Sequence, residues 1–211
     1  TAKSISIILS DDWKKFRIKK EVPKIFEGFI ENGSLKAKIV VGSPDPHGKY
    51  RASGSEFCAM ELAMLLGEYA SFKYPLYYLD TEVKNNNEIK KENLIVIGGP
   101  KVNMLLSELN PKLPIRFDEK SFELRSDLSG KKYSETVGVM QIIENPWNHS
   151  KKIMVIAGAN QRGTRTAILA MINQSSEMER PNLFDQKIQA KAVKGHDDDG
   201  DGIIDTAEII E

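Results

Sequence analysis

The chain has 211 residues, of which 40% are hydrophobic and 28% charged, so it can bury one good core, or one domain plus an appendage. Lysine plus arginine and aspartate plus glutamate number 30 each, which gives no overall electrostatic case for binding nucleic acid or anionic lipid. We expect no membrane span because no run of about 18 apolar residues exists. The single cysteine, Cys58, leaves no partner for an intrachain disulfide or a thiolate zinc site.

The first third of the chain predicts strands and helices in alternation. Residues 4–10 alternate and are rich in isoleucine, which predicts a strand, whereas 21–32 place apolar residues at helical spacing. A short apolar strand is predicted at 38–41, followed by the clearest helix of the chain at 55–72. Residues 76–79 predict another strand.

The second part of the chain repeats the unit of an apolar strand followed by a helix. Strands are predicted at 93–97 and 153–157, with helices over 102–109 and 164–172. Between these units, residues 115–124 and 137–143 predict two antiparallel strands joined through Ser129-Gly130-Lys131.

Three of the predicted strands, 38–41, 93–97 and 153–157, are entirely apolar, end in glycine and precede a helix. Parallel strands that are covered on both faces have this pattern. The sequence therefore predicts an α/β fold of three layers, with a parallel or mixed, Rossmann-like sheet. Residues 114–146 would be a β insertion that extends the sheet or sits beside it. We expect an α/β domain over 1–194 and a calcium-loop appendix over 195–211.

The stretch from Asp197 to Glu208 has the spacing of an EF-hand-like calcium loop. Carboxylates occupy loop positions 1, 3, 5, 9 and 12, with glycine at position 6 and an aliphatic residue at position 8. Residues 186–194 before it predict a strand rather than a helix, so the loop would be an isolated structural staple; a solvated acidic tail is the alternative. The predicted Ca²⁺ ligands are Asp197, Asp199, Asp201, the Ile203 carbonyl, Asp205 (directly or through water) and Glu208, with Ile204 anchoring the loop to the domain.

Three loops, 42–51, 98–103 and 158–165, follow the apolar strands at the edge where open α/β sheets bind ligands. Each pairs glycines with polar or cationic side chains, but none has a dinucleotide or nucleoside triphosphate motif. The alternative is that the glycines and prolines reverse the chain and the arginines pair with nearby carboxylates. No persuasive catalytic constellation is present, so we assign no reaction. The side chains that could meet a small ligand are His47, Lys49, Arg51, Asn103, Asn160, Arg162 and Arg165.

Several segments occur in a familiar order. They are Val40-Val41-Gly42-Ser43, a helix with Ala59, Leu62 and Leu66, Asn93-Leu94-Ile95-Val96-Ile97-Gly98-Gly99-Pro100 with Asn103, Val155-Ile156-Ala157-Gly158 followed by Gly163-Thr164-Arg165-Thr166-Ala167, and the aspartate-rich loop. Their order over residues 36–211 resembles the outer-domain and C-terminal segments of the archaeal S-layer protein family. The resemblance implies a non-catalytic, calcium-stabilised building block of the cell envelope, which would associate with itself or with other envelope proteins.

A cytoplasmic ligand-binding or enzymatic domain that uses His47, Arg51 and Arg162 is the competing hypothesis. A signal peptide upstream would favour the envelope, whereas an initiator methionine directly before Thr1 would favour the cytoplasm. In an exported protein the sequons at Asn32, Asn148 and Asn173 would mark glycan sites. We also predict that the turns at 98–100 and Gly158 lie side by side, since parallel strands of one pattern place their helix-entry loops at one end.

Overall fold

The computed structural model describes residues 20–54, 56–133 and 136–211. The strands of this part, in chain order, are β1 (Ile30–Glu31), β2 (Ser34–Leu35), β3 (Ala37–Val41), β4 (Tyr78–Leu79), β5 (Asn93–Ile97), β6 (Ile115–Phe117), β7 (Leu124–Ser126), β8 (Lys132–Tyr133), β9 (Val137–Glu144), β10 (Lys152–Gly158), β11 (Gln189–His196) and β12 (Thr206–Ile209). The α-helices are α1 (Glu56–Gly67), α2 (Asp80–Lys84), α3 (Asn87–Lys90), α4 (Met104–Leu109), α5 (Gln161–Asn173) and α6 (Ser175–Met178).

A seven-stranded mixed sheet, in the order β12-β11-β9-β10-β5-β3-β4, forms the centre of the described structure. Strands β10, β5, β3 and β4 are parallel, with Ile153 opposite Leu94 and Ala37 opposite Asn93. Strands β9, β11 and β12 extend this parallel half with antiparallel pairings. Every residue of β5 is buried, as expected for a strand that is covered on both faces.

Alternate residues of the central strands face two different layers. Ile95 and Ile97 of β5 pack in one core cluster with buried residues of α1 and α5. Leu94 and Val96 pack in a second cluster with α4 and with the three-stranded sheet β6-β7-β8. This two-residue period is the pleat of the strand, and it produces three layers from one apolar run. Among the described residues, the helices are too short or too polar to cross a bilayer.

The α/β fold of three layers is confirmed. The strands predicted at 38–41, 93–97 and 153–157 are β3, β5 and β10, and α1, α4 and α5 follow them in the chain. The prediction about the two glycine turns is also confirmed, because a Cβ placed on Gly99 would lie 2.4 Å from the carbonyl oxygen of Gly158. The backbones of two neighbouring loops can approach so closely only where glycine, which has no Cβ, stands in the turn.

The helix predicted over 21–32 is wrong. This segment forms a 3₁₀ turn, Lys24–Phe26, followed by the β1–β2 hairpin. Gly28 has a φ of 84° and Asn32 a φ of 51°, both in the left-handed region that an α-helix cannot include. The apolar residues of the segment are nevertheless buried, with Phe26 and Phe29 at 1% and 0% exposure. The strand predicted at 4–10 lies outside the described residues.

The single strand predicted over 115–124 is also wrong, because the chain reverses between β6 and β7 and forms a hairpin. Its predicted partner, 137–143, is instead β9, which pairs with β10 and β11 in the central sheet. The segment 114–146 therefore does both things considered for it: β6, β7 and β8 lie beside the sheet, and β9 extends it. After β11, the chain returns as β12, the edge strand of the same sheet.

Candidate functional site

The acidic loop connects β11 to β12 and brings three carboxylates together. Carboxylate oxygens of Asp197, Asp199 and Asp205 all lie within 4.8 Å of one another. The two strands fix the ends of the loop, since His196 pairs with Thr206 and the Asp205 N–H donates to the His196 carbonyl at 2.9 Å. An oxygen-rich group of this kind could hold a hard metal cation.

The backbone of the loop turns around the first of these carboxylates. Asp197 accepts hydrogen bonds from the N–H groups of Gly200 and Gly202 through different oxygens, at 2.7 and 2.8 Å. Both glycines have positive φ, 80° and 91°, which a residue with a Cβ adopts only with strain. Ile204 is 2% exposed and packs on Gly195, so the predicted aliphatic anchor of the loop is confirmed.

Two of the predicted carboxylate ligands lie outside the group of three. Asp201 accepts a hydrogen bond from the Ile203 N–H at 2.7 Å. Glu208 is on β12 rather than on a helix, and its carboxylate lies 3.4 Å from Nε2 of His196.

Helix α5 presents two arginines to the acidic loop. Arg165 pairs with Glu61 of α1 at 2.9 Å and donates a second hydrogen bond to the carbonyl of Ile204. The guanidinium of Arg162 lies against Gly202, so close that a Cβ there would be 3.0 Å from it. These cations lie on the loop rather than in a cleft between the strand ends, and they offset part of its negative charge.

The loops at the carboxyl ends of β3, β4 and β5 are tied together by one buried carboxylate. Asp80 is 0% exposed and begins α2 immediately after the edge strand β4. Its oxygens accept four hydrogen bonds, from the N–H groups of Ser43 (3.0 Å), Thr81 (2.9 Å) and Met104 (2.6 Å) and from Nε2 of His47 (2.7 Å). Asp80 thus connects loop 42–51 to the start of α4.

Both ring nitrogens of His47 are engaged within the protein. Nε2 donates to Asp80, and Nδ1 lies 2.7 Å from the carbonyl oxygen of Asp45. Burial alone would lower the pKa of His47, but these two hydrogen bonds and the nearby carboxylates outweigh it and raise the pKa. The ring is therefore best described as a cationic link between two segments of chain.

The remaining candidate ligand residues have structural partners or point to solvent. The side chains of Asn103 and Asn160 cap helices: the first accepts from Leu105 and Leu106 of α4, and the second from Gly163 of α5. The Lys49 ammonium lies 5.2 Å from the centre of the Tyr50 ring. Arg51 is exposed, with a φ of 48°. The structure brings His47 to Asp80 and the arginines to the acidic loop, but it does not gather the seven residues around one ligand.

A buried polar cradle around Glu211 has no counterpart in the sequence prediction. Glu211 is 0% exposed, although it is the last residue of the chain. Burial alone would raise the pKa of this carboxyl, but the hydrogen bonds outweigh it and lower the pKa. Burial and the Glu211 carboxylate raise the pKa of Tyr133 to about 12. The donors are Ser126 (2.7 Å), Ser129 (2.6 Å), Asn182 (3.1 Å) and the Tyr133 hydroxyl.

The roles of Asp80 and Glu211 cannot be predicted from local sequence, because their main partners are distant in the chain. Asp80 follows the strand predicted at 76–79 and forms a close acid pair with Glu82, for which solvation is the usual expectation. One signal could have identified it: a carboxylate directly after an edge strand lies at the carboxyl end of the sheet, beside the N–H groups that begin the next helix. For Glu211 no local pattern indicates burial.

A comparison with known protein families shows the family to which the chain belongs. Residues 51–175 match the family model described as the outer domain of the S-layer like family. This chain belongs to the S-layer like family. The match covers α1 through the start of α6, and thus includes β5, β9 and β10. The acidic loop and the β11–β12 hairpin lie beyond the matched residues.

A curated relative of this S-layer-like chain occurs in Methanocaldococcus jannaschii. It is an uncharacterized protein, 27% identical over 120 residues, which is 56% of this chain and 25% of the relative. The alignment thus spans about a quarter of that protein.

Proposed function

We propose that this S-layer-like chain is a non-catalytic structural domain of the archaeal cell envelope that a bound calcium ion stabilises. The family match over residues 51–175 is the observation that carries the proposal. The hydrogen bonds at the strand ends support it, because Asp80, His47, Asn103 and Asn160 hold the protein's own backbone there. In this role the domain associates with other copies of itself or with other envelope proteins.

The competing function is a ligand-binding or enzymatic domain that uses loops 42–51, 98–103 and 158–165. The observation that most favours this function is the contact between His47 and Asp80, since many general bases are histidines beside a carboxylate. A general base, however, needs a free nitrogen toward its substrate, and Nδ1 of His47 is held by the Asp45 carbonyl. This arrangement favours the structural role.

The proposed calcium ligands are the six predicted from the loop spacing. Asp197, Asp199 and Asp205 supply the converging carboxylates, and Asp201, the Ile203 carbonyl and Glu208 complete the set. Rotation of the Glu208 side chain away from His196 would be needed, and that is feasible because this carboxylate is 64% exposed. Calcium fits a set of six oxygen ligands with flexible geometry better than magnesium, which requires a tight octahedron.

The localisation test uses the source organism. Cells are separated into envelope and soluble fractions, and the chain is detected with a specific antibody. We expect the chain in the envelope fraction. Recovery in the soluble fraction alone would contradict the envelope assignment.

Calcium binding is tested by titration calorimetry on the full chain after treatment with chelator. We expect one calcium per chain, with a dissociation constant of roughly 10⁻⁴–10⁻³ M, the range of lone extracellular loops. Asp197→Asn should abolish binding because it removes a central ligand. Asp198→Asn is the matched control: it stands in the same loop, but its carboxylate accepts from Thr206 at 3.0 Å and is outside the ligand set. Equal binding by the two variants, or none by the unmutated chain, would refute the proposal.

A further inference from the structure

An apolar groove lies between helix α1 and the segment 72–79, which ends in the edge strand β4. We name it the α1 groove. Its volume is about 690 Å³, and every side chain that lines it is apolar or aromatic. Ile39 and Val41 of β3, which belong to the core, are part of this lining. Sites that hold small organic ligands have volumes of about 300–1,000 Å³ and predominantly apolar walls, so the α1 groove has the size and lining of a ligand site.

The composition of α1 explains both the space in the groove and its apolar surface. Ala59 and Ala63 line it with single methyl groups, which leave room beside the helix. Met60 and Met64, about one helical turn apart, are 53% and 67% exposed, although a helix on a sheet normally places polar residues on its outer side. Contiguous exposed apolar surface of this kind marks a site of interaction.

A polar pocket of about 280 Å³ adjoins the α1 groove, since Ile39, Phe72 and Leu76 line both. We name it the lysine pocket. Three lysines and one glutamate line it, so three positive charges and one negative charge give it a net charge of +2. These residues are Lys36, Lys38, Lys73 and Glu92. The chain as a whole has a net charge of zero, so this positive charge is a local feature of the surface beside the groove.

The three lysines keep their charges available to a ligand. Within the described part of the chain none of them forms an ion pair, whereas Lys90, for example, pairs with Glu108 at 3.0 Å. Lys38 Nζ lies 5.8 Å from the centre of the Tyr78 ring, which attracts its charge without neutralising it. An ammonium group beside apolar surface attracts an anion more strongly than one surrounded by water, because apolar neighbours screen the charge less.

We propose that the α1 groove and the lysine pocket together bind a single-chain amphiphile with an anionic head group, such as a long-chain carboxylate. Its hydrocarbon chain lies between the exposed methionines of α1 and the pair Leu76 and Tyr77, which are 56% and 57% exposed. Its carboxylate lies among Lys36, Lys38 and Lys73. The apolar lining thus selects a hydrocarbon chain, and the lysine pocket selects a negative head group. This ligand site goes beyond the proposed structural role and requires neither calcium nor the envelope location.

Titration calorimetry with decanoate tests the proposal on the full chain, at concentrations below those at which decanoate forms micelles. We expect one decanoate per chain. Octanoate, which is two CH₂ groups shorter, should bind more weakly by up to about fourfold per CH₂ group. Acetate, which has the head group alone, should give no measurable binding. Decyltrimethylammonium, which joins a chain of the same length to a cationic head group, should bind severalfold more weakly than decanoate.

Three results of this titration would overturn the proposal. They are no binding of decanoate, equal affinities for decanoate and decyltrimethylammonium, and binding that appears only when micelles are present. The last of these would mean that the exposed apolar residues adsorb to the surface of an aggregate.

Variants test the two parts of the site separately. Lys36→Gln/Lys73→Gln removes two exposed charges and should weaken decanoate binding severalfold, whereas Lys120→Gln/Lys187→Gln, at two exposed lysines outside the site, should leave it unchanged. Ala63→Phe places a ring in the groove and should weaken binding at least tenfold. A melting temperature close to that of the unmutated chain shows that a variant is folded. Unchanged affinity in a folded site variant, or an equal loss in the lysine control, would contradict the proposed site.

Oxidation of methionine by dilute peroxide locates the ligand without any mutation. Mass spectrometry compares the oxidation rates of Met60 and Met64 with and without saturating decanoate, and we expect decanoate to slow both severalfold. Met104, at the start of α4 on the other side of the sheet, is the internal control, and its rate should not change. Unchanged rates at Met60 and Met64 would place the ligand elsewhere and overturn the proposal. Rates that are already low in the free chain and rise on dilution would also overturn it, because a second copy would then occupy the groove.

Discussion

At the scale of single residues, the stability of the strand ends depends on one buried carboxylate. Asp80 accepts three backbone N–H groups and the ring of His47 in a site that water does not reach. A buried charge of this kind persists only where donors replace its hydration. The loop after β3, which the sequence predicted as part of a ligand-binding region, is therefore held in place by hydrogen bonds to Asp80.

The link between His47 and Asp80 should make stability depend on pH. The pKa of His47 is raised above its ordinary value of 6.5, so protonated His47 favours the folded state. Its contribution is fully present below pH 6.5 and is lost as the pH rises through the folded-state pKa. His47→Asn should cost about 1.5–3 kcal/mol in mildly acidic solution, the range of a hydrogen bond to a charged group, and less in alkaline solution.

Urea unfolding of the unmutated chain and His47→Asn at several pH values measures this difference. The control is His149→Asn, because it makes the same substitution at a histidine whose side chain is 79% exposed. A difference in stability that does not change with pH would show that His47 is neutral in the folded protein.

At the scale of elements, α5 packs on the sheet through glycines. A Cβ on Gly163 would lie 2.5 Å from the Val137 carbonyl oxygen and 3.1 Å from Cα of Gly158. On the sheet side, a Cβ on Gly138 would lie 1.9 Å from the Gly163 carbonyl oxygen. The backbone of the helix touches the backbone of β9 and β10, so these contacts have no flexible side chain that could move.

Gly163→Ala should therefore destabilise the protein by about 1–3 kcal/mol, the usual cost of overpacking, or more if α5 has to move away from the sheet. Gly67→Ala, at the end of α1, is the control: the nearest atom to its Cβ is 4.0 Å away, and alanine favours helix. Thermal and urea unfolding compare the two variants. Equal stabilities would contradict the close approach of α5.

The C-terminal hairpin is held at its far end by Glu211. Four side-chain donors surround its carboxylate, and they connect the end of β12 to β7, β8 and the segment that contains Asn182. Lys191 of β11 is also buried here, 3% exposed, and burial lowers its pKa. The last residue of the chain thus joins the central sheet to the small sheet.

Glu211→Gln should lower the free energy of unfolding by about 1–3 kcal/mol at neutral pH. The NH₂ group of the glutamine amide would face the O–H and N–H donors that now bind the carboxylate, and these cannot accept a hydrogen bond from it in their present orientation. The pKa of Glu211 is lowered, so its contribution is present above the ordinary glutamate value of 4.5 and is lost as the pH falls through the folded-state pKa. The gap between the unmutated chain and Glu211→Gln should therefore narrow in acid.

Urea unfolding at neutral and acidic pH measures this gap, with Glu119→Gln, an exposed residue of the β6–β7 turn, as the control. If Glu211→Gln is as stable as the control at neutral pH, the cradle contributes nothing to folding.

At the scale of the whole molecule, the acidic loop is connected to the centre of the sheet. β12 pairs with β11, β11 with β9, and β9 with β10, so the loop is not an independent tail. An ion that binds only the folded loop should stabilise the entire sheet through this continuous pairing.

Calcium at about 100 times its dissociation constant should raise the free energy of unfolding by about 2.7 kcal/mol. For a domain of this size that corresponds to a rise in melting temperature of roughly 5–10 °C. A thermal melt in calcium and in chelator measures the shift, which Glu208→Gln should reduce and magnesium should not reproduce. Equal melting temperatures in the two buffers would contradict the coupling.

The sequence by itself determined the class of fold and the order of carboxylates and glycines in the acidic loop. Entirely apolar strands such as 93–97 predict burial on both faces whatever their neighbours are, and the spacing from Asp197 to Glu208 is local. The family resemblance also rested on segments in chain order, and the match over 51–175 confirms it.

Only the tertiary structure decided the rest, because the deciding contacts join residues far apart in the chain. The apolar residues of 21–32 are buried, but Asn32 and Gly33, with positive φ, turn the chain between β1 and β2 into a hairpin. Strand order depends on pairings such as Val155 with Val96, which no local pattern contains. The roles of His47 and Glu211 were set in the same way: their partners, Asp80 and Ser126, lie 33 and 85 residues away, and burial gives each contact its strength.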